Sequence, residues 1–302
     1  GLPSMAAYIL HLAVLGGMYV LLAASLNIPV GLSGQVSLGH GAFFGIGAYI
    51  SGLLAMHYTI VPFPLLLVLA GLGSAAVAVL LSPPALKLKD EYLAVVTLGF
   101  GLIFELGLKN LAFTGGTDGL YGLPNFGMQG ADFLWWVWGA VTLCLFVTSR
   151  LRKGQFGRNL TAIKESERTA RTLGIAPLPL KVGCFALSAL FAGIAGSLYA
   201  HYITFINPGV FGLHTSILLL CMVVLGGMGT VLGPLAGGIL LFLLPELLQE
   251  FADYQDLVYG GLLIVILIFR PQGLLGRAPG QGRRRFPLRR RTQSAPASTS
   301  NA

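Results

Sequence analysis

Residues able to do chemistry are sparse in this sequence, and they lie among apolar and glycine-rich neighbours. Gln35, Ser37 and His40 fall in the stretch GLSGQVSLGHGAFFGIGAY, residues 31–49, whose glycines lower helix stability unless something requires them. Two uses are open. Residues 31–39 can stay unwound and offer Gln35, Ser37 and His40 to a solute pathway, or the same groups can simply hydrogen-bond neighbouring helices. Gly41, Gly45, Ala48 and Gly52 are small residues at spacings that let helices pack closely. Thr97 adds a hydroxyl and Glu105 an acid to the candidate pathway. Glu105 precedes Lys109 by four residues, the favourable order for a same-face pair, so it is either a pathway group or half of a self-neutralising pair near a span end.

What this set cannot do is equally informative. There is no GxxxxGK[ST], hence no phosphate-cradling loop with which to hydrolyse ATP. Gly226-Gly227-Met228-Gly229 lacks the third glycine of a dinucleotide loop and reads as a tight helix connection. Neither an HExxH zinc site, an acid-rich transferase motif nor a recognisable hydrolase motif occurs, so no catalytic, metal or cofactor residue is assigned. Cys144, Cys184 and Cys221 stand alone in apolar runs and read as inert packing.

One charged segment stands out. Between Gly157 and Gly174 it carries Arg158 and Glu165 with Leu160, Ile163, Ala170 and Leu173 as an apolar stripe, the pattern of a short helix. Such a helix either lies on lipid or docks a soluble partner that supplies the missing energy source.

These residues must be positioned by membrane helices. The chain is 55% hydrophobic and 10% charged, with mean hydropathy +0.79, far from a soluble globular composition. Its apolar runs approach the ~20 residues that span a bilayer and lack the alternation of barrel strands. The fold class is therefore all-α, a polytopic transmembrane bundle of about nine spans. They fall near residues 4–28, 39–56, 61–81, 92–111, 133–149, 182–203, 215–225, 234–250 and 257–269, the pair between 215 and 250 being short or broken. The net charge of +8 belongs to the end of the chain, where residues 270–302 hold eight Arg and no acid, while residues 1–269 hold 11 basic and 11 acidic residues. This division excludes a nucleic-acid reading. It splits the chain into a permease-like domain, residues 1–276, and a basic, disordered cytoplasmic tail, residues 277–302, suited to contact with anionic membrane lipid. Basic residues favour the cytoplasm, so 150–181 lies inside, Asp118 and Asp132 lie outside, and Lys109 is the one basic residue on the outer half.

Several segments, in order, resemble the permease family of bacterial branched-chain amino acid ABC transporters, its LivM branch in particular. They are SGQVSLGHGAFFGIGAY at 33–49, LKLKDEYLAVVTLGFG at 86–101, TGGTDGLYGLP at 114–124, VVLGGMGTVLGP at 223–234 and FRPQGLLG at 269–276. The resemblance runs nearly end to end. It implies an inner-membrane permease paired with a homologous sister permease, two cytoplasmic ATPase subunits that use the ATP, and a periplasmic substrate-binding protein. By position, 157–174 corresponds to the family's cytoplasmic coupling loop. One departure bears on cargo: after Gly101 the family commonly has Glu-Ile-Val-Arg, whereas this chain has Leu102, Ile103, Phe104 and Glu105. Other amino acids, amides or urea therefore stay open beside leucine-like solutes. Relatives also carry one more apolar span before the position of Leu2, so a first helix is expected to be missing here.

Two rival classes are testable on the same residues. A secondary transporter or channel needs membrane-embedded acids or histidines forming an ion relay, and Glu105 is the single acid away from the expected span ends. A membrane-embedded transferase needs paired acids at the cytoplasmic face, where Asp90 and Glu91 alone qualify.

Overall fold

In lipid each backbone polar group must find its partner within the protein, and the apolar runs meet that demand as helices. The computed structural model describes residues 2–58, 61–88, 90–247 and 273–276, with Gly260, Gly261 and Ile264. Its helices are α1 (Leu2–Ile28), α2 (His40–His57), α3 (Phe63–Ala85), α4 (Asp90–Asn110), α5 (Gly130–Lys153), α6 (Gln155–Glu165), α7 (Glu167–Thr172), α8 (Pro177–Ile203), α9 (Leu213–Gly226) and α10 (Gly233–Leu247). The all-α expectation holds, with one antiparallel ladder of two residues a side, β1 (Leu120–Tyr121) against β2 (Phe205–Ile206).

Among the described residues six segments are long and apolar enough to cross a membrane: five of them lie on α1, α3, α4, α5 and α8, and the sixth is α9 with its preceding 3-10 turn, Pro208–Phe211. The expected spans at 39–56 and 234–250 differ for a physical reason. Helix α2 is enclosed by protein along most of its length, so it has no need of lipid-facing residues, and α10 is a shorter apolar helix packed on α9. The expected span at 257–269 lies almost wholly outside the described residues, as does the basic tail.

Helix α1 passes into a π-helical turn, Pro29–Ser33, and the cause is local. Pro29 has no N–H to give to the Ser25 carbonyl, and the Ser188 hydroxyl of α8 donates there instead, at 2.7 Å. The turn stops at Gly34, whose positive φ of 74° suits glycine.

Helices α2, α3 and α8 pack closely on one another. Hydrocarbon gives no hydrophobic drive between helices, so close backbone approach carries the association. A Cβ at Gly47 would overlap the backbone of Gly193, one at Gly196 the Phe44 carbonyl, and one at Gly193 the Ala70 carbonyl. Of the small residues expected to pack helices, Ala48 lies in this crossing, Gly41 receives the Ser216 hydroxyl oxygen as acceptor for its N–H at 2.9 Å, Gly45 faces the Phe104 and Phe211 rings, and Gly52 faces Leu123. Closer contacts than those of Gly41, Gly45 and Gly52 belong to Gly47, Gly193 and Gly196, which the sequence reading did not single out.

Helix α5, 24 residues long, spans about 36 Å and separates two unlike ends. Trp135, Trp136 and the hairpin cluster near Phe63 mark one end; Arg150, Arg152, Lys153 and the charged helices α6 and α7 mark the other.

Because Gly47 meets backbone, Gly47→Ala is expected to destabilise the bundle by about 1–3 kcal/mol, while Gly99→Ala, which meets open space, is expected to be neutral or mildly stabilising. Reversible unfolding in micelles measures both. Equal stabilities for the two variants would contradict the crossing described.

Candidate functional site

The stretch after the π-turn is non-helical from Gly34 to Gly39, as the glycines suggested, and its polar groups are mostly spoken for. His40 Nε2 lies 2.7 Å from the Ser25 hydroxyl, which itself donates to the Leu22 carbonyl, so the histidine is the donor of the pair. The Gln35 side-chain oxygen accepts from Ser33 Oγ at 3.2 Å. Thr97 Oγ1 accepts from the Leu38 N–H and donates to the Ala94 carbonyl, each at 3.0 Å, and a Cβ on Gly39 would overlap the Thr97 carbonyl. Thr97 thus ties α4 to the loop before α2. Ser37 is fully buried, and its hydroxyl has no hydrogen-bond partner among the described residues.

Glu105 accepts from Lys109 Nζ at 2.6 Å, the expected one-turn ion pair, and its carboxylate also packs against Gly212. A second polar centre went unread in the sequence. His201 Nδ1 donates to the Pro124 carbonyl at 2.8 Å, which leaves Nε2 to accept from Ser51 Oγ at 2.7 Å; Ser51 in turn lies 2.6 Å from Ser197 Oγ. The only sequence signal was Ser197 and His201 at one-turn spacing on an apolar helix.

At the basic end the charged segment is locked to the bundle. It forms two helices rather than one, because Ser166 is extended and caps α7, accepting from the Thr169 N–H at 3.3 Å. Gly157 sits where a Cβ would overlap the Leu151 carbonyl, so α6 turns back directly on the end of α5. Leu160, Ile163 and Ala170 are buried within the chain. Leu160, Ile163 and Ala170 therefore serve the protein's own core rather than facing a partner or lipid, and of the expected stripe Leu173 alone stays open. Of the expected coupling residues, Arg158, Glu165, Leu173 and Gly174 are exposed, Leu173 being 72% accessible and Gly174 having φ 79°.

Three polar links bind this end together. Lys164 Nζ donates to the Gly31 carbonyl at 3.1 Å, and Arg152 donates to the Gly229 carbonyl. Asn27, another residue the sequence reading missed, clamps the glycine-rich turn by donating to the Thr230 carbonyl at 2.8 Å and accepting from the Gly229 N–H at 2.9 Å. Partial burial, assisted by the positive charge of Arg152, pushes the Lys164 pKa down.

Helix α7 is held by Glu167, which pairs with Arg171 at 2.6 Å and with Lys181 of α8 at 2.8 Å. The hydrogen bond from Lys181 is the main reason the Glu167 carboxyl titrates below its ordinary value, partial burial opposing it. The pair's contribution is complete above the ordinary glutamate pKa of about 4.3 and is lost as pH falls through the lower, folded-state value. Glu167→Gln is therefore expected to lower hydrogen-exchange protection in residues 167–173 about fivefold at neutral pH, ~1 kcal/mol for a half-exposed pair, and to remove the acid sensitivity of that protection. Unchanged exchange in the variant would show that the pair does not hold α7.

Known proteins align with most of this structure. The family profile for the permease component of branched-chain amino acid transport systems matches residues 8–267. The chain is 39% identical over 294 residues to the high-affinity branched-chain amino acid transport system permease protein LivM of Salmonella typhimurium, the match covering 87% of this chain and 69% of that protein. It is 38% identical to LivM of Escherichia coli with the same coverage, and 26% identical over 286 residues to the permease protein LivH of E. coli, covering 92% of the latter. No solved structure matches. With its polytopic helical bundle and this match over nearly its whole length, the chain belongs to the branched-chain amino acid transport permease family.

Proposed function

We propose that the chain is one membrane-spanning permease subunit of an ABC importer for amino acids of the branched-chain type, working by alternating access. The observation that carries this reading is the family match across residues 8–267, laid on a bundle with six apolar, membrane-length segments among the described residues. Relatives named LivM and LivH are two kinds of permease within one family, which supports pairing with a homologous sister subunit. Energy then comes from two cytoplasmic ATPase subunits, and solute from a binding protein on the far side of the membrane. The basic end with α6 and α7 faces the ATPases, in keeping with the preference of Lys and Arg for the cytoplasm. Counting α2, α10 and the apolar run at 257–269 beside the six segments gives the nine passes read from sequence.

Within this reading residues 157–174 couple the bundle to an ATPase, and burial divides the labour. Leu160 and Ile163 anchor the segment inward, while Leu173, Arg158 and Glu165 offer the outward contact. The test is ATP-driven leucine uptake by the chain co-assembled with sister permease, ATPases and binding protein in proteoliposomes. Leu173→Asp, at an exposed site, is expected to leave the bundle folded but to bury an unpaired carboxylate at the interface. That costs about 3–5 kcal/mol and releases the ATPase on purification. A wild-type assembly that moves no amino acid would sink the transport reading; a Leu173→Asp assembly that retains its ATPases and its uptake would sink the docking face alone.

A further inference from the structure

Helix α5 has two unlike faces. Phe133, Val137, Val141, Cys144 and Thr148, three or four residues apart, are buried. The same spacing on the opposite face gathers Trp135, Gly139, Thr142, Phe146, Arg150 and Lys153, each of them exposed. Trp135 is 80% accessible and Phe146 55%, and a Cβ on Gly139 would meet nothing within 4 Å. Thr142 closes its own hydrogen bond on the Trp138 carbonyl at 2.8 Å. Arg150 and Lys153 carry the charge of this face, and neither is in an ion pair among the described residues.

Helix length sets the level of these two cations. From Trp135 to Lys153 the helix rises about 27 Å, close to the ~30 Å of a hydrocarbon core, with an indole at one boundary and an ammonium at the other. Arg150 sits nearly one turn closer to the middle, and its guanidinium carbon lies 5.2 Å from the centroid of the Phe146 ring. The guanidinium is thus folded back along the apolar wall of α5 rather than extended past the helix end. A cation held at that depth is matched by an anion that reaches it from the bilayer.

The C-terminal end of a helix ordinarily repels an anion through its unpaired carbonyls. Here those carbonyls are occupied. The Gly154 N–H is shared between the Arg150 and Leu151 carbonyls at 3.0 and 3.1 Å, and Arg158 donates to the Lys153 carbonyl at 2.8 Å. Residues 150–164 hold five basic residues and no acid. Arg152, Arg158 and Lys164 are turned to backbone carbonyls of the protein, which leaves Arg150 and Lys153 as the pair open to the bilayer. Their charge is complementary to an anionic headgroup, and the exposed ring beneath Arg150 suits an acyl chain.

We propose that Arg150 and Lys153 hold the headgroup of an anionic phospholipid in the leaflet at the basic end, with an acyl chain running past Phe146 toward Gly139. A zwitterionic phospholipid carries its own ammonium beside the phosphate and gains little from the pair. Because α6 turns back on α5 between Gly154 and Gly157, the lipid sits at the base of residues 157–174 and ties that elbow to the membrane surface. The site needs only the membrane-embedded bundle and stands apart from the transport reading.

The test is native mass spectrometry of the full chain released from neutral-detergent micelles that contain equimolar phosphatidylglycerol and phosphatidylcholine. Wild type is expected to retain phosphatidylglycerol about tenfold over phosphatidylcholine. Arg150→Gln with Lys153→Gln is expected to bring the two lipids to near parity. Phe146→Ala, which removes the ring beneath the guanidinium, is expected to lower the preference about twofold. Lys87→Gln with Arg168→Gln takes the same charge from exposed positions elsewhere and is expected to leave the preference unchanged. A wild type without preference, an Arg150/Lys153 variant that keeps it, or a Lys87/Arg168 variant that loses as much overturns the site. Loss of the lipid from wild type on assembly with a sister permease would give this face to a protein and also overturn it.

Discussion

The backbone-to-backbone crossing of α2 on α8, continued onto α3, is the constraint from which the rest of the bundle takes its geometry. Gly47, Gly193 and Gly196 bring main chains to distances that no side chain would allow. Once that block is set, α2 is enclosed, and its ends have fixed neighbours: the Gly34–Gly39 loop beside α4 at one end and the hairpin region at the other. The polar centre at Ser25–His40 joins α1 to α2, that at Ser51–Ser197–His201 joins α2 to α8, and both close their hydrogen bonds internally. In hydrocarbon such pairs add specificity of register more than bulk stability, because an unmade bond has no water to replace it.

Around this block the looser parts are arranged in a connected series. Lys164 on α6 reaches the Gly31 carbonyl; Gly31 abuts Gly229; the chain then runs through Gly34–Gly39 to the Leu38–Thr97 hydrogen bond on α4. A displacement of α6 and α7 therefore meets, within a few bonded or packed steps, the point on which α4 bears. Physical contiguity of this kind is what a coupling route needs, and its use is decided by whether α4 has two positions. Cavities of about 330 and 320 Å³ border α4 along 93–100 and 104–111 and leave it room to have them.

Much of this was legible in the sequence because bilayer physics writes in large letters. Continuous apolar runs gave the helices within a few residues, and the clustering of Arg and Lys at 150–181 marked one end. The glycines of 31–49 flagged both the unwound loop and the close packing, although closer contacts fell at Gly47 and on α8 than at Gly41 and Gly52. Other features were hidden for definable reasons. A stripe such as Leu160, Ile163 and Ala170 looks the same whether it faces a partner, lipid or its own bundle; only the fold of α6 against α5 decides. Asn27 and His201 act through partners some 200 and 77 residues away, separations at which no local pattern speaks.

The central claim is that a glycine-locked α2–α3–α8 block stays rigid while α4 moves against it. The most direct measurement is a pair of distances by double electron–electron resonance in the reconstituted importer. One pair of spin labels joins exposed positions on α3 and α4, Leu80 and Ile103; the other joins α3 and α2, Leu80 and Met56. The account predicts that ATP shifts the Leu80–Ile103 distribution and leaves the Leu80–Met56 distribution in place. A Leu80–Ile103 distance unchanged by ATP, or a Leu80–Met56 distance that moves with it, would contradict the account.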